Sequence, residues 1–337
     1  MSDTIIVSSS PHAKTSGDVS KIMWVVCFSL LPTAVASAVI FGIQSLIVIG
    51  TSVLTCVITE LVSQLVFKRK VTISDGSAVV TGILLAFTLP PTAPVWVVII
   101  GAVVAIFLVK QLFGGLGYNI FNPALAARAF LLASFPVIMT TWIKPVSQFM
   151  SFDAVTSASF LNIIKEGATA AGQNAAAGTL PAGFSYLDML FGIIPGSLGE
   201  TCKITLLAGG FLLLLFRIID FRVPLAYIAT VALSSWIFGR DPIASVLSGG
   251  LILGAFFMAT DMVTSPITKT GKVVFGIGCG LLVVVIRFIG GFPEGVCYSI
   301  LLMNCMTPLI DKFTKPRVFG KKLFQAKQGA NTVQKTS

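Results

Sequence analysis

Residues 21–70 read KIMWVVCFSLLPTAVASAVIFGIQSLIVIGTSVLTCVITELVSQLVFKRK, two long apolar runs closed by a basic triplet, with Glu60 the one acid among them. About 20 apolar residues, rising 1.5 Å each, cross the hydrocarbon of a bilayer, and helices satisfy every backbone group internally there. Residues 22–43 and 46–67 are therefore predicted to be consecutive transmembrane helices. Lys68, Arg69 and Lys70 place the end of the second on the cytoplasmic side.

The pattern continues along the 337 residues, of which 55% are hydrophobic and only 11% charged, against about 25% charged in soluble domains. Further spans are predicted near 76–91, 94–113, 119–140, 202–219, 223–239, 242–260, 271–290 and 294–312. The fold class is an all-α integral membrane protein of about ten transmembrane helices. A polar start with Lys14, Asp18 and Lys21 leaves no separate signal peptide, so insertion is expected to use the spans themselves. The net charge of +10 collects in short loops and in the tail DKFTKPRVFGKKLFQAKQ, which the positive-inside bias explains; a nucleic-acid role is discarded. Both termini are expected in the cytoplasm. The organisation is then a cytoplasmic segment (1–21), five helices (22–140), an extracytoplasmic loop (141–201), five more helices (202–312) and a basic cytoplasmic tail (313–337).

The two groups of five echo each other. TGILLAFTLPP is followed by an apolar helix and GGLGYNIFNPALAARAF; SGGLILGAFFMATDMVTSP is followed by an apolar helix and GGFPEGVCYSILLMNCMTPLID. An odd number of spans per copy inverts the second copy, and inverted repeats with interrupted helices carry midplane sites in transport folds. No metal site is expected: the six cysteines show no C-x-x-C spacing and His12 is the only histidine, and buried cysteine is an ordinary small core residue.

A charge at a helix centre costs about 2.5 to 3.5 kcal/mol on insertion scales, so Glu60, Lys110, Arg128, Asp261 and Arg287 each need a partner, a wet cavity or a ligand. Glu60 and Lys110 are expected to snorkel to the interface. Arg128 lies in NIFNPALAARAF beside Asn119 and Asn122. Asp261 lies in ATDMVTSPITKTG among threonines and before Pro266, whose ring frees carbonyls that can line a cavity. Either an ion path or a cofactor pocket would use such groups; the structural alternative is that Arg128 and Asp261 neutralise each other or the helix ends.

The outer interval holds SFDAVTSASFLN, in which Asp153, Thr156 and Ser159 recur every third residue with the small Ala154, Ser157 and Ala158 between them. By spacing alone Asp153 or Thr156 reads as a helix N-cap. With no histidine nearby, a hydrolase triad is excluded.

From VSSSPHAKTSGDVSKIMWVVCFSLLPT through SDGSAVVTGILLAFTLPP, KQLFGGLGYNIFNPALAARAF, IPGSLGETCKITLLAGGFLLL and FMATDMVTSPIT, essentially the whole chain resembles the D subunit of Rnf electron-transport complexes. That protein is related to the B subunit of the sodium-pumping NADH:quinone oxidoreductase. The resemblance implies ten helices in two inverted five-helix repeats, and FMN joined by a phosphoester to a hydroxyl in an outer loop. It implies a flavin transferase that recognises a motif like D-G/A-x-S/T-G/S-A-T. Laid on this chain, Asp153 to Ala158 match and the acceptor falls on Ser159, a departure from threonine that keeps the hydroxyl and leaves Thr156 as second candidate. Gly196, Gly199, Glu200 and Thr201 are expected to form a tight turn beneath the flavin. A second, non-covalent flavin such as riboflavin would sit near Asn119, Asn122, Arg128 and Asp261.

The function implied is a flavin-carrying inner-membrane subunit that passes electrons between ferredoxin and NAD, coupled to Na+ or H+ movement. Without a G-x-G-x-x-G fingerprint or a ferredoxin-type cysteine run, entry and exit of electrons fall to the other Rnf subunits. The rivals are a channel or transporter without covalent cofactor, and an inert assembly scaffold.

Overall fold

The computed structural model describes residues 18–143, 156–157, 185–200, 202–290 and 294–315. It is built almost wholly of helices. In chain order these are α1 (Asp18–Phe41), α2 (Ile43–Val66), α3 (Ser77–Thr88), α4 (Val95–Val103, continuing as a wide π-helical stretch Val104–Gln111), α5 (Pro123–Ser134) and α6 (Pro136–Thr140). A two-residue antiparallel pair follows, β1 (Trp142–Ile143) and β2 (Thr156–Ser157), in which Ile143 faces Thr156. Then come α7 (Tyr186–Phe191), α8 (Lys203–Leu215), α9 (Arg222–Ile237), α10 (Pro242–Leu247), α11 (Leu251–Leu253, continuing as π-helix Gly254–Met258), α12 (Lys269–Phe288) and α13 (Val296–Thr314).

Three helical stretches, Val19–Phe41, Ile43–Val66 and Lys269–Phe288, are long and apolar enough to cross a membrane by themselves. Others stop short of the expected extents, for local reasons. The span expected at 76–91 is the 12-residue α3, about 18 Å long at 1.5 Å per residue; Leu89 turns extended before Pro90 and Pro91. The span expected at 119–140 begins at Pro123, because Asn119 to Asn122 form a capped loop, and it breaks at Phe135–Pro136, where proline has no N–H to give. The span expected at 242–260 breaks at Ser248 to Gly250, with Gly249 at φ +62°.

Small residues let the helices approach. Gly276 and Gly280 lie one turn apart on α12 against α9, where an added Cβ would come within 2.9 Å of the Val223 carbonyl and 2.7 Å of Thr230, the small-xxx-small arrangement of membrane helix pairs. Gly82 of α3 meets α2 at the Val53 backbone, 2.7 Å from where its Cβ would be, and its carbonyl accepts from Ser52 Oγ at 2.7 Å.

Hydrogen bonds sort the loops into two ends. At the first end Trp24 donates to the Ser74 carbonyl (3.3 Å), Arg69 to the Gln111 carbonyl (2.8 Å), and Lys272 to Asp220 (3.3 Å). Burial opposes ionisation of Asp220, but the Arg222 N–H and Lys272 outweigh it and hold its carboxyl below the ordinary value. At the second end Tyr186 donates to Asp241, Leu198 N to the Leu89 carbonyl (3.1 Å) and Gly199 N to the Phe87 carbonyl (2.9 Å). The last two bonds occupy carbonyls that α3 leaves open at its C-terminus. Among the described residues every exposed lysine or arginine lies at the first end, from Lys21 and Lys68 to Lys315, whereas at the second end Arg240 is half-buried and Arg128, Lys203 and Arg287 are buried.

Candidate functional site

A cavity of about 100 Å³ lies among the first-end loops, between α1, α3, the π turn of α4 and the π turn of α11. Its apolar wall includes Ile22, Val80, Leu84 and Phe257; its polar groups include Ser77, Thr81, Lys110, Asn119, Asn122 and Asp261. Three residues singled out in the sequence, Asn119, Asn122 and Asp261, thus meet in one cavity. Arg128 does not join them.

Each polar residue is held locally. Asn122 caps α5, its Oδ1 accepting from Ala124 N (3.1 Å) and Leu125 N (3.4 Å), with Pro123 at the first helical position; Asn-Pro is a helix-start signature. Its Nδ2 donates to the Met258 carbonyl at 3.4 Å, tying α5 to the α11 π turn. Asn304, with its amide oxygen toward Asn122 N (3.2 Å) and its nitrogen toward the Ile300 carbonyl (3.2 Å), completes this knot from α13. Asn119 donates to the Phe121 carbonyl at 3.0 Å. Asp261 accepts from Val263 N (3.4 Å) and Thr264 Oγ1 (3.1 Å). Both π turns border the cavity, and π-helical turns recur at functional sites.

Lys110 and Glu60 do not snorkel. They form a buried ion pair, Nζ to Oε1 at 2.8 Å, with side chains 2% and 1% exposed. Lys110 also donates to Glu60 Oε2 (2.9 Å) and Ser77 Oγ (2.7 Å), while Gln111 (3.0 Å) and Gln64 (3.2 Å) donate to Glu60 Oε1. Three ammonium donors meet three acceptors, which is what makes an ion pair tolerable away from water. Snorkelling fails because both side chains point into the bundle.

Arg128 is not neutralised by Asp261 either. It lies at the second end, where its guanidinium pairs with Glu200 (3.5 Å) and with Glu294. Around it Lys203 donates to the carbonyls of Glu200 and Gly249, the latter at 2.8 Å, and Arg287 donates to the Ser245 carbonyl (2.7 Å) and the Ser248 carbonyl (3.1 Å). Arg128, Glu200 and Glu294 border a slot of about 10 Å³, on the scale of a single water. A partition separates cavity and slot: Ala124 and Phe257 face the cavity, and their neighbours in sequence, Leu125 and Met258, face the slot.

Sequence reasoning missed Asn304, Lys203 and Glu294, and missed the pairing of Glu60 with Lys110. One signal was present: K-Q-L-F-G-G at the end of the fourth helix and R-F-I-G-G later in the chain. Lys110 binds Ser77 at the start of α3 and Arg287 contacts Ser248 (Oγ, 3.5 Å) just before α11, so each of the two basic residues holds a helix start. Of the outer patch, Asp153, Ala158 and Ser159 lie outside the described residues; Thr156 is placed by its backbone alone, opposite Ile143. In the PGSLGET segment Glu200 N closes a turn on the Ser197 carbonyl (3.1 Å), as expected, but the turn caps α3; Thr201 lies outside the described residues.

A profile of the NQR2, RnfD, RnfE family matches residues 6–320. The chain is 46% identical over 319 residues to the D subunit of the Na(+)-translocating ferredoxin:NAD(+) oxidoreductase complex of Acetobacterium woodii, covering 94% of this chain and 95% of that one. It is 47% identical to the D subunit of the proton-translocating ferredoxin:NAD(+) oxidoreductase complex of Clostridium ljungdahlii (93% and 96% covered). It is 37% identical to the D subunit of the ion-translocating oxidoreductase complex of Escherichia coli (93% and 98% covered).

Proposed function

The chain belongs to the NQR2, RnfD, RnfE family, and on that premise we propose that it is the multi-pass D subunit of an Rnf complex, a membrane ferredoxin:NAD oxidoreductase that translocates ions. The observation that carries this is identity above 45% along nearly the full length of two proteins so named. It is a relay within a multisubunit enzyme, incomplete alone. One of those relatives is named for sodium and the other for protons at nearly equal identity, so overall similarity does not choose the ion.

We propose further that the helices form two inverted repeats of five with both termini in the cytoplasm. Support comes from the exposed basic residues at the first end and from Lys110 and Arg287 each gripping a helix start. The D-A-V-T-S-A-S segment would carry FMN outside the membrane on Ser159, or failing that Thr156, after action of a flavin transferase with Asp153 and Ala158 in its recognition motif. A non-covalent flavin such as riboflavin would occupy the first-end cavity. The lining chemistry suits such a ring, with apolar walls and the Asn119 amide oxygen and Asp261 carboxylate for a polar edge, and the cavity of about 100 Å³ would have to widen to admit it. Such a flavin supplies one- and two-electron chemistry, while these residues fix its position. Arg128, beyond the partition, would not touch it.

In-gel fluorescence after denaturation tests the tether. Wild type made with its transferase is expected to give a fluorescent band, lost in Ser159→Ala and retained in Thr156→Ala; the reverse pattern moves the ester to Thr156, and a dark wild-type band rejects covalent flavin. Asp261→Asn is expected to assemble normally yet impair ion-coupled turnover. Unchanged ion pumping per electron pair in the purified complex would remove Asp261 from coupling.

A further inference from the structure

The buried pair of Glu60 and Lys110 has a hydrogen-bonded outlet. Ser77 Oγ, which accepts from Lys110 Nζ at 2.7 Å, itself donates to Asp75 Oδ1 at 2.6 Å. With Lys110 on both Glu60 oxygens at 2.8 and 2.9 Å, four side chains form one unbroken string. Exposure rises along it. Glu60, Lys110 and Ser77 are buried, while Asp75 is half-buried in the first-end loop between α2 and α3, beside the exposed Ser74. The string also borders the cavity, since Lys110 and Ser77 both line it. Carboxyl, hydroxyl and ammonium groups can each give and take a proton, and a hydroxyl turns to suit its neighbours. The other connection from Glu60 towards the first end, through Gln64 to Thr72, runs through an amide, which keeps its N–H protons.

We propose that Glu60, Lys110, Ser77 and Asp75 form a proton path between the border of the cavity and water at the first end. Release starts with Glu60 protonated. Lys110 passes one N–H proton to Ser77 Oγ, and Ser77 passes its hydroxyl proton to the Asp75 carboxylate. Lys110 is then restored by the proton of Glu60. One proton has left the buried pair and one has reached Asp75, which gives it to water. Uptake reverses each step once the hydroxyl has turned towards Lys110. The need for such a path follows from burial. Negative charge arriving in the cavity raises the proton affinity of a carboxylate buried near it, and in a low-dielectric interior that charge is costly to leave uncompensated. Glu60 takes up a proton when the charge arrives and returns it when the charge leaves. Asp75 is fixed against the hydroxyl because its Oδ1 also accepts from Ser77 N at 2.8 Å. Arg69, tied to the same network through the Gln111 carbonyl (2.8 Å), keeps its charge throughout. Because the proton enters and leaves at one end, the path serves charge compensation under either coupling ion. The inference rests on the reading of the cavity as a site that electrons reach.

The test is ferredoxin:NAD turnover by the assembled complex, with formate added as a small diffusible acid. Asp75→Asn keeps an oxygen acceptor for Ser77 N and Oγ but cannot carry a proton. It is expected to lower turnover about a hundredfold, the lower end for loss of a positioned proton-transfer group, and formate is expected to restore most of the rate. Ser77→Ala is expected to be as slow and to stay slow in formate, since the missing link lies inside. Asp75→Glu keeps the carboxyl and is expected to retain most of the activity. Full turnover by an assembled Asp75→Asn or Ser77→Ala complex overturns the path. So does a slow Asp75→Asn complex that formate leaves slow, which would make Asp75 a structural residue only. Should Ser77→Ala fail to assemble, Asp75→Asn with and without formate decides alone. Val80→Trp, which crowds the cavity wall, checks the premise separately: non-covalent flavin per complex is expected to fall, and unchanged content removes the cavity reading together with the path. A fall in that content alongside full turnover by Asp75→Asn removes the path and leaves the cavity reading standing.

Discussion

Lys110→Met is expected to destabilise the protein by about 3 to 5 kcal/mol, the usual cost of removing one partner from a buried ion pair. Methionine fills nearly the same space, so packing changes little; what is left is the Glu60 carboxylate, 1% exposed, with only the Gln64 and Gln111 amides to solvate it. Ser77 Oγ also loses its donor at the start of α3 while keeping its bond to Asp75 (2.6 Å). The double variant Glu60→Gln/Lys110→Met removes both charges and is expected to recover most of the loss, because a neutral amide keeps hydrogen bonds without an orphaned charge. Unfolding by SDS titration in mixed micelles measures both. A single variant costing less than about 1 kcal/mol, or a double variant worse than the single, would mean that the carboxylate reaches water when unpaired.

The second large effect concerns Gly209. A Cβ there would collide with the Ser29 carbonyl oxygen of α1 and lie 3.2 Å from Phe257 Cζ. The obstacle is backbone, which cannot swing aside as a side chain does. Gly209→Val is therefore expected to force α8 away from α1 and cost about 3 kcal/mol, the upper part of the overpacking range. Gly50 on α2 is the internal comparison. Nothing lies within 4 Å of its added Cβ, so Gly50→Ala is expected to stabilise by about 0.5 to 1 kcal/mol through helix propensity alone. The same SDS titration separates the two; equal effects would mean that the α1–α8 contact adjusts freely.

What could be read in advance follows from how local each cause is. α1, α2 and α12 were legible because a long apolar run against a fixed bilayer thickness leaves one solution. The polar groups of the first-end cavity were legible in part, since Asn119, Asn122 and Asp261 are conspicuous in apolar surroundings. The start of α5 also could have been read, because Asn122-Pro123 writes a cap and a first turn in two letters. Glu60 and Lys110 misled for the opposite reason. Fifty positions separate them, and snorkelling considers one side chain at a time. Arg128 finds its carboxylates 72 and 166 positions away, in loops whose approach depends on every helix between. The early end of α3 was equally hidden, since the N–H groups that donate to its last carbonyls belong to residues 198 and 199.

That last feature bears on how the protein is made. The carbonyls of Phe87 and Leu89 are satisfied by N–H groups that leave the ribosome more than a hundred residues later, roughly 5 to 22 s of synthesis at about 5 to 20 residues per second. For that interval α3 cannot rest in lipid with its end uncapped, because unsatisfied carbonyls in hydrocarbon cost several kcal/mol each. The first half of the chain is therefore committed to waiting, with α3 shielded by the insertion machinery or lodged near the interface, until the second half arrives to seat it. Biogenesis of the two halves is coupled by backbone hydrogen bonds as well as by side-chain packing.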